Sequence, residues 1–340
     1  MTSWTIRLAS HEDAAAWDAF ADVAASVPVM ARFAWGRAIT ATYGVPILRL
    51  LAADARGRIV GICPVCIAKN GCAYSLRYGL AAQDDTVAAA LLNAVRAECV
   101  ARGVTAALVT SGTRTYAVPY PTRAKETVVI PIVATEEETW TSLRNKTRNM
   151  IRRAQREGCT VREDRDACDA FYVLLARRML AKGVPVHARR FFATLLRELG
   201  DAGALLIAEQ DGRMVGGMLL CLGPRCAVYP YQATARGAER SAATQLLIWE
   251  AMRRCVARGI PLLDMGESSV GSSVHASKLH FGGKSHTIAY YDVLEGAPSR
   301  TLDGRVRAAV LRAAAVGMRV LPTPLGVRLG SFVKRAGRLV

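Results

Sequence analysis

No stretch of this 340-residue chain approaches the roughly 20 consecutive apolar residues that cross a bilayer, so no helical membrane span is expected. The start, Met1-Thr2-Ser3-Trp4-Thr5-Ile6-Arg7, lacks the apolar stretch and small-residue cleavage site of a secretory signal, and the expected location is the cytoplasm. Cysteine is present without organisation. Nine thiols, an odd number, are scattered mostly through apolar segments (Cys63, Cys66, Cys99, Cys221, Cys255) and read as buried. Cys63 and Cys66 form a single C-x-x-C with no second pair and no His cluster to complete four ligands, so no metal is expected. A G-x-S-x-G nucleophile elbow and a Cys/His pair in a protease context are also missing.

Acids are outnumbered. Against 28 Asp and Glu stand 45 Lys and Arg, a formal charge of +17, so the surface attracts polyanions. The excess gathers in two places: residues 144–165, and the segment from Ser299 onward, where Asp303 alone opposes the basic side chains. At 51% hydrophobic and 21% charged, the composition is that of a compact fold, and the length suits two domains of about 150 residues.

The chain also repeats. Gly57-Arg58-Ile59-Val60-Gly61 returns as Gly212-Arg213-Met214-Val215-Gly216, and Cys99-Val100-Ala101-Arg102-Gly103 returns letter for letter from Cys255 to Gly259. Both pairs share one offset to within a residue, which implies a duplicated unit. In each copy a Gly-Arg turn precedes a strand (Ile59 to Ile67; Met214 to Leu222), then a tyrosine-bearing apolar stretch (Ala73 to Tyr78; Ala227 to Tyr231). A helix follows, with apolar residues three and four apart, stopped by Gly103 or Gly259, and a strand closes the unit (Thr105 to Thr110; Pro261 to Met265). The expected class is therefore α/β (α+β), two tandem units of mixed sheet flanked by helices. The expected divisions are 1–127, 128–295 and a basic helical tail at 296–340.

Residues 135–157 predict one helix, opened by a capping box of Thr135 with Glu138 and closed by Gly158. Arg144, Arg148, Arg152 and Arg156 fall four apart on it. Like charges at that spacing repel, so the stripe is either a solvated face or a contact for phosphates.

Several strings together carry a family likeness: RNKTRNMIRRAQREG (Arg144 to Gly158), FYVLLARRMLAKGVPVHARRFF (Phe171 to Phe192), YPYQAT (Tyr229 to Thr234), LLIWEAMRRCVARG (Leu246 to Gly259), LLDMGESS (Leu262 to Ser269) and SKLHFGG (Ser277 to Gly283). The chain resembles the FemAB-like transferases, tandem copies of the GNAT acyltransferase fold, and most of all the branch associated with exopolysaccharide and exosortase loci. The resemblance implies transfer of an amino acid from its tRNA ester to an amine of a small-molecule or cell-envelope precursor, with no cofactor. On that reading Arg144, Arg148, Arg152, Arg156 and Arg236 would meet tRNA phosphates.

Making an amide from an ester requires a neutral amine, a partner for the developing oxyanion and a proton for the leaving oxygen. Lys278 matches the lysine of the family's F-K-x-x-F-G pattern, with Ser277 where the family has an aromatic, and is the first catalytic candidate. Phe281 and the two glycines after it would bring backbone to a ligand. Asp264 and Glu267, at the end of a sheet strand, are candidates for the base, although Asp264 has a competing role as cap of the turn at Gly266; the closest relatives often carry arginine in place of Glu267. Tyr229, Tyr231 and Gln232 either line the cleft or fill the core. His187 lies in a G-x-P-x-H resemblance and is a candidate substrate contact, whereas His275, His280 and His286 read as surface or supporting groups.

Two other readings stay open. Acyl-CoA is the alternative donor, although the segment Arg236 to Ala243 has one glycine and the acid Glu239 where a pyrophosphate would bind amides. Alternatively the protein binds anions or a membrane surface without catalysis, through a basic amphipathic tail (Arg305, Val306, Val310, Leu311, Arg312, Arg319; then Arg328, Lys334, Arg335, Arg338). A monomer is expected.

Overall fold

The computed structural model of the protein describes residues 4–68, 71–237, 241–294 and 313–336. The first half runs β1 (Trp4–Leu8), α1 (Ala14–Ala24), α2 (Pro28–Ala31), α3 (Phe33–Tyr43), β2 (Ile47–Asp54), β3 (Ile59–Ile67), β4 (Cys72–Ser75), β5 (Ala81–Ala82), α4 (Asp85–Ala101) and β6 (Ala106–Gly112). Strand β7 (Thr122–Pro131) leads to α5 (Glu136–Ser142), α6 (Asn145–Arg156), β8 (Thr160–Glu163), α7 (Cys168–Ala181) and α8 (Arg189–Leu199). Then come β9 (Gly203–Gln210), β10 (Arg213–Leu222), β11 (Ala227–Thr234), α9 (Ala243–Ala257), β12 (Leu262–Ser268), α10 (Ser273–Leu279) and β13 (Lys284–Leu294). Residues 313–320 form α11 and Thr323–Ala336 form α12.

The repeated strings occupy equivalent places. Gly57 and Gly212 take φ of +75° and +69° in the β2–β3 and β9–β10 turns, a conformation only glycine adopts without strain. The glycine that ends each Gly-Arg string serves a different need. A side chain on Gly61 would stand 2.6 Å from Val87 and 2.8 Å from Leu91 of α4, and on Gly216 3.1 Å from Leu247 of α9. Each repeat thus uses a bare backbone to let its helix lie close on the sheet.

Among the described residues the strands join one 13-stranded sheet ordered β1-β2-β3-β4-β6-β13-β7-β12-β11-β10-β9-β8, with β5 paired to β3. Among the described residues, parallel pairing occurs only at β4·β6 and β11·β12, each bridged by the helix between them. The centre of the sheet is an exchange. β7 pairs with β12 of the second repeat, and β13 returns to pair with β6 of the first, while β7 and β13 pair with each other. Tyr291 and Val293 of β13 accordingly pack in one core with Leu91 and Val95 of α4. Val128 and Ile130 of β7 pack in another with Ile151 of α6 and Leu247 of α9.

Two expectations are revised. The boundary between residues 127 and 128 falls inside β7, because that strand runs unbroken across it. The helix expected over 135–157 is two. Its capping box forms at Thr135 and Glu138, but Leu143 and Arg144 are extended (ψ 144° and 145°) and separate α5 from α6. Leu143 is buried there, and the Arg148 guanidinium donates to the carbonyl of Thr141 at 2.8 Å, fixing the corner. The described part of the tail is helical and packs on the second half of the chain. Met318 of α11 is buried, Gly326 of α12 abuts Leu180 of α7, and Gly330 abuts the backbone of Val186. Arg305, Val306, Val310, Leu311, Arg312 and Arg338 lie outside the described residues, as do Ala238, Glu239 and Arg240.

Gly61→Ala should lower stability by about 1–3 kcal/mol through overpacking against Val87. Gly216→Ala, whose nearest neighbour stands farther off, should stay within about 1 kcal/mol of the wild type, helped by the lower entropy of its unfolded chain. Urea denaturation of the two variants measures the difference.

Candidate functional site

The acids of β12 are brought to one face by a fault in the strand. Asp264 pairs with Val129 of β7 but Glu267 pairs with Thr127, so β12 carries one extra residue over that span, with Gly266 at φ +75°. Side chains alternate along a regular strand, and residues three apart would face opposite ways. The bulge cancels that and turns both carboxylates toward the sheet centre.

Asp264 makes the local contact that competed with a catalytic role. Its Oδ1 accepts from the Gly266 amide at 2.5 Å and from the Thr127 hydroxyl at 2.7 Å. It is 1% exposed, and burial raises its pKa in spite of those bonds and of nearby Arg77 and Lys278. Glu267 is different. Arg77 lies 3.4 Å from its Oε1 and Lys125 of β7 3.1 Å from its Oε2, and the Tyr290 hydroxyl of β13 donates to it. Burial opposes ionisation, but Arg77, Tyr290 and Lys125 together outweigh it and hold the carboxyl below its ordinary range. Lys125 also sits 5.1 Å over the ring of Tyr290.

Arg77 is the residue that the sequence reading passed over. It follows β4 and comes from the first repeat, whereas Asp264 and Glu267 come from the second. Burial disfavours its charge, but Tyr78, Glu267, Asp264 and Tyr290 more than compensate and raise its pKa. Its guanidinium lies 5.4 Å over the ring of Tyr78, which takes a positive φ of 56° beside it. A lone arginine inside the apolar stretch from Ala73 to Tyr78 was the available signal.

Lys278 is delivered by α10, whose N-terminus is capped by Ser272. Its Nζ donates to the carbonyls of Gly266 at 2.6 Å and Glu267 at 3.2 Å, so the bulge and the lysine hold each other. Burial, together with Arg77, lowers its pKa from 10.5 to about 8, with Asp264 and Glu267 acting in the other direction. A cleft of about 510 Å³ opens beside this cluster, lined by Lys125 and Glu126 of β7, Glu267 and Ser268 of β12, and Thr287 of β13.

The other candidates divide. Tyr229 is buried, and the charge of Asp264 adds to burial in raising its pKa, whereas Tyr231 stands edge-on to Phe192 at 5.0 Å and to His187 at 5.8 Å. The Gln232 Nε2 is buried without a hydrogen-bond partner. His187 lies in an aromatic packing at the junction of α3 and α8, stacked 4.2 Å from Phe191 with its Nδ1 2.7 Å from the Tyr43 hydroxyl. Phe281 is 2% exposed in the core around α9. His275, read from sequence as a surface or supporting group, is buried.

The arginine stripe belongs to α6 and its cap rather than to the cleft. Arg144 and Arg156 are exposed, Arg148 fixes the α5–α6 corner, and Arg152 lies 5.3 Å over Trp140, itself edge-on to Trp249. The two regions are linked where Thr147 of α6 donates to the carbonyl of His280, just past α10. Arg236 is exposed after β11. Among the described residues no group of three His, Cys, Asp or Glu is placed to hold a metal.

Comparison with known proteins agrees with this architecture. Residues 141–272 match the family described as the acetyltransferase (GNAT) domain. No curated protein matches the chain in sequence. Among solved structures, it is similar to FemX (TM-score 0.66, 13% identity, 90% of this chain and 100% of that one). It is also similar to the C-terminal domain of a putative lysylphosphatidylglycerol synthetase from Agrobacterium fabrum (TM-score 0.52, 10% identity, 88% and 95%). A third is a tandem GNAT protein from the clavulanic acid biosynthesis pathway (TM-score 0.50, 10% identity, 86% and 99%). Residues 141–272 thus carry an acyltransferase domain of GNAT type. The chain as a whole has the fold of FemX and of the tandem GNAT protein.

The depressed pKa of Lys278 makes a testable demand on stability. Between about pH 8 and 10.5 the unfolded chain keeps this proton and the folded one releases it, so stability from this group rises with pH through that window. Lys278→Met removes that increment. Urea denaturation at pH 7.5 and at pH 10 should show the wild type gaining on the variant at the higher pH; parallel behaviour would contradict the assignment.

Proposed function

We propose that the protein transfers an amino acid from aminoacyl-tRNA to an amine of a small-molecule or envelope precursor, forming an amide. The observation that carries this reading is the cationic cluster of Lys278, Arg77 and Lys125 around Glu267, beside an open cleft and linked through Thr147 to the basic helix α6. Such a site suits an activated carbonyl on a polyanionic carrier. The similarity to a protein named for lysylphosphatidylglycerol synthesis supports an amino acid as the transferred group.

In this mechanism the acceptor ammonium is drawn to Glu267, which its three partners keep ionised. The ammonium gives one proton to water, the neutral amine attacks the ester carbonyl while Lys278 neutralises the oxyanion, and the carbon–oxygen bond breaks as the ribose oxygen takes the proton that the attacking nitrogen gives up. The donor is a substrate and no cofactor is required. Exposed Val320 and Phe332 on α11 and α12, beside exposed Arg319 and Arg328, support peripheral contact with an acidic membrane surface, where an envelope precursor would be met.

The test is incubation of the protein with total tRNA charged with one radiolabelled amino acid at a time, in the presence of cell extract. Label should leave tRNA for one amino acid; consumption of acyl-CoA in its place would overturn the donor. Lys278→Ala should lower turnover by about 100-fold or more with the circular dichroism spectrum unchanged. Arg152→Ala combined with Arg156→Ala should raise the KM for tRNA several-fold, with kcat little changed and a shallower dependence on salt.

A further inference from the structure

Beside the lysine, along the same cleft, runs a second constellation that the proposed transfer does not use. Ser268, at the end of β12, lines the cleft. Its Oγ lies 3.1 Å from Nδ1 of His275, a histidine 6% exposed on α10. On the other side of the ring, Nε2 is 3.4 Å from Oγ of Ser285 on β13 and 3.9 Å from Oε2 of Glu126 on β7. Ser285 in turn donates to that carboxylate oxygen.

Counting donors fixes the direction of the chain. A carboxylate only accepts, so the single proton of Ser285 goes to Glu126. Ser285 can then only accept from His275, which places the ring proton on Nε2. In a neutral imidazole the remaining nitrogen is an acceptor, so Nδ1 must receive the hydroxyl proton of Ser268. The result is a directed relay from Ser268 through His275 and Ser285 to Glu126. Its logic is that of a nucleophile, a base and an acid that orients the base, with a hydroxyl interposed at the last step. The four residues come from β12, α10, β13 and β7, and meet only because β7 and β13 pair at the centre of the sheet.

We infer that Ser268 is a nucleophile, activated by His275, that accepts an acyl group from activated esters entering the cleft. The Ser268 oxygen bonds to the acyl carbon and its proton passes to His275 Nδ1. The bond from that carbon to the leaving oxygen breaks, and the proton follows the leaving group. Water, or an amine, then reverses the sequence: it attacks the acyl-serine, gives its proton to His275, and Ser268 recovers that proton as the ester opens. Lys278, whose Nζ meets the carbonyl of the residue just before Ser268, supplies positive charge next to the reacting carbonyl. The inference does not depend on which donor the protein uses in the amide-forming reaction.

The probe is a fluorophosphonate, which phosphonylates activated serines, applied to the full chain and read by intact mass and peptide mapping. A single adduct on Ser268 is expected. Ser268→Ala should abolish it, and His275→Gln should slow it by about 100-fold. Ser285→Ala, at an exposed position, should slow it several-fold without burdening the core, and so tests the relay even if His275→Gln fails to fold. Hydrolysis of 4-nitrophenyl acetate should follow the same order. No adduct, an adduct on another residue, or equal labelling of the wild type and the folded Ser285→Ala variant would overturn the assignment. Failure of the tRNA assay with labelling intact would overturn the donor alone.

Discussion

β7 and β13 pair antiparallel with each other at the middle of the sheet, and each has crossed to the repeat opposite its place in the sequence. Everything at the candidate site depends on that pairing. β7 contributes Lys125, Glu126 and Thr127, β13 contributes Ser285, Thr287 and Tyr290, and β12, held by β7, presents Asp264, Glu267 and Ser268. Arg77 arrives from the first repeat. The candidate site therefore lies at the seam of a duplication, where two copies that began alike have no reason to stay alike.

The seam is also where charge is concentrated, and its arrangement explains why the fold tolerates it. Burying an isolated ion is costly, whereas a paired and hydrogen-bonded one can be accommodated. Each acid has its own set of partners: Asp264 takes an amide and a hydroxyl, Glu267 takes two cations and a phenol, and Lys278 finds two backbone carbonyls. The bulge at Gly266 does three things at once. It aims the acids, offers the carbonyl that Lys278 binds, and presents the amide that Asp264 accepts from. Replacing any one of these groups leaves another without its partner, so the cluster acts as a unit.

Much of the fold was legible because it is local. The two Gly-Arg turns, the helices α4 and α9 and the strands after them follow from glycine placement and apolar spacing, and the duplicated strings gave the tandem plan. The family likeness pointed to Lys278. What was not legible depends on long-range pairing. Arg77 and Tyr290 meet Glu267 from sequence distances that no spacing rule reaches, and the four members of the Ser268 relay lie on four separate elements. The break at Leu143 was hidden because the apolar and arginine positions keep their three- and four-residue spacing across it, whereas a buried leucine and an arginine brace fix the corner.

The crossing of the strands bears on how the chain is made. When Gly112 of β6 leaves the ribosome, the strand that will cover its open edge is still about 170 residues away, or roughly 10–30 s of synthesis. For that interval the first repeat presents unpaired backbone amides and carbonyls on a strand flanked by apolar side chains, the kind of edge that recruits other chains. β6 is short and ends in Ser111 and Gly112, and β7, next to emerging, opens with the charged run Arg123, Lys125 and Glu126. The nascent first repeat thus waits for its closing strand with a solubilising segment attached, and its vulnerability to aggregation is set by translation speed as much as by the stability of the finished fold.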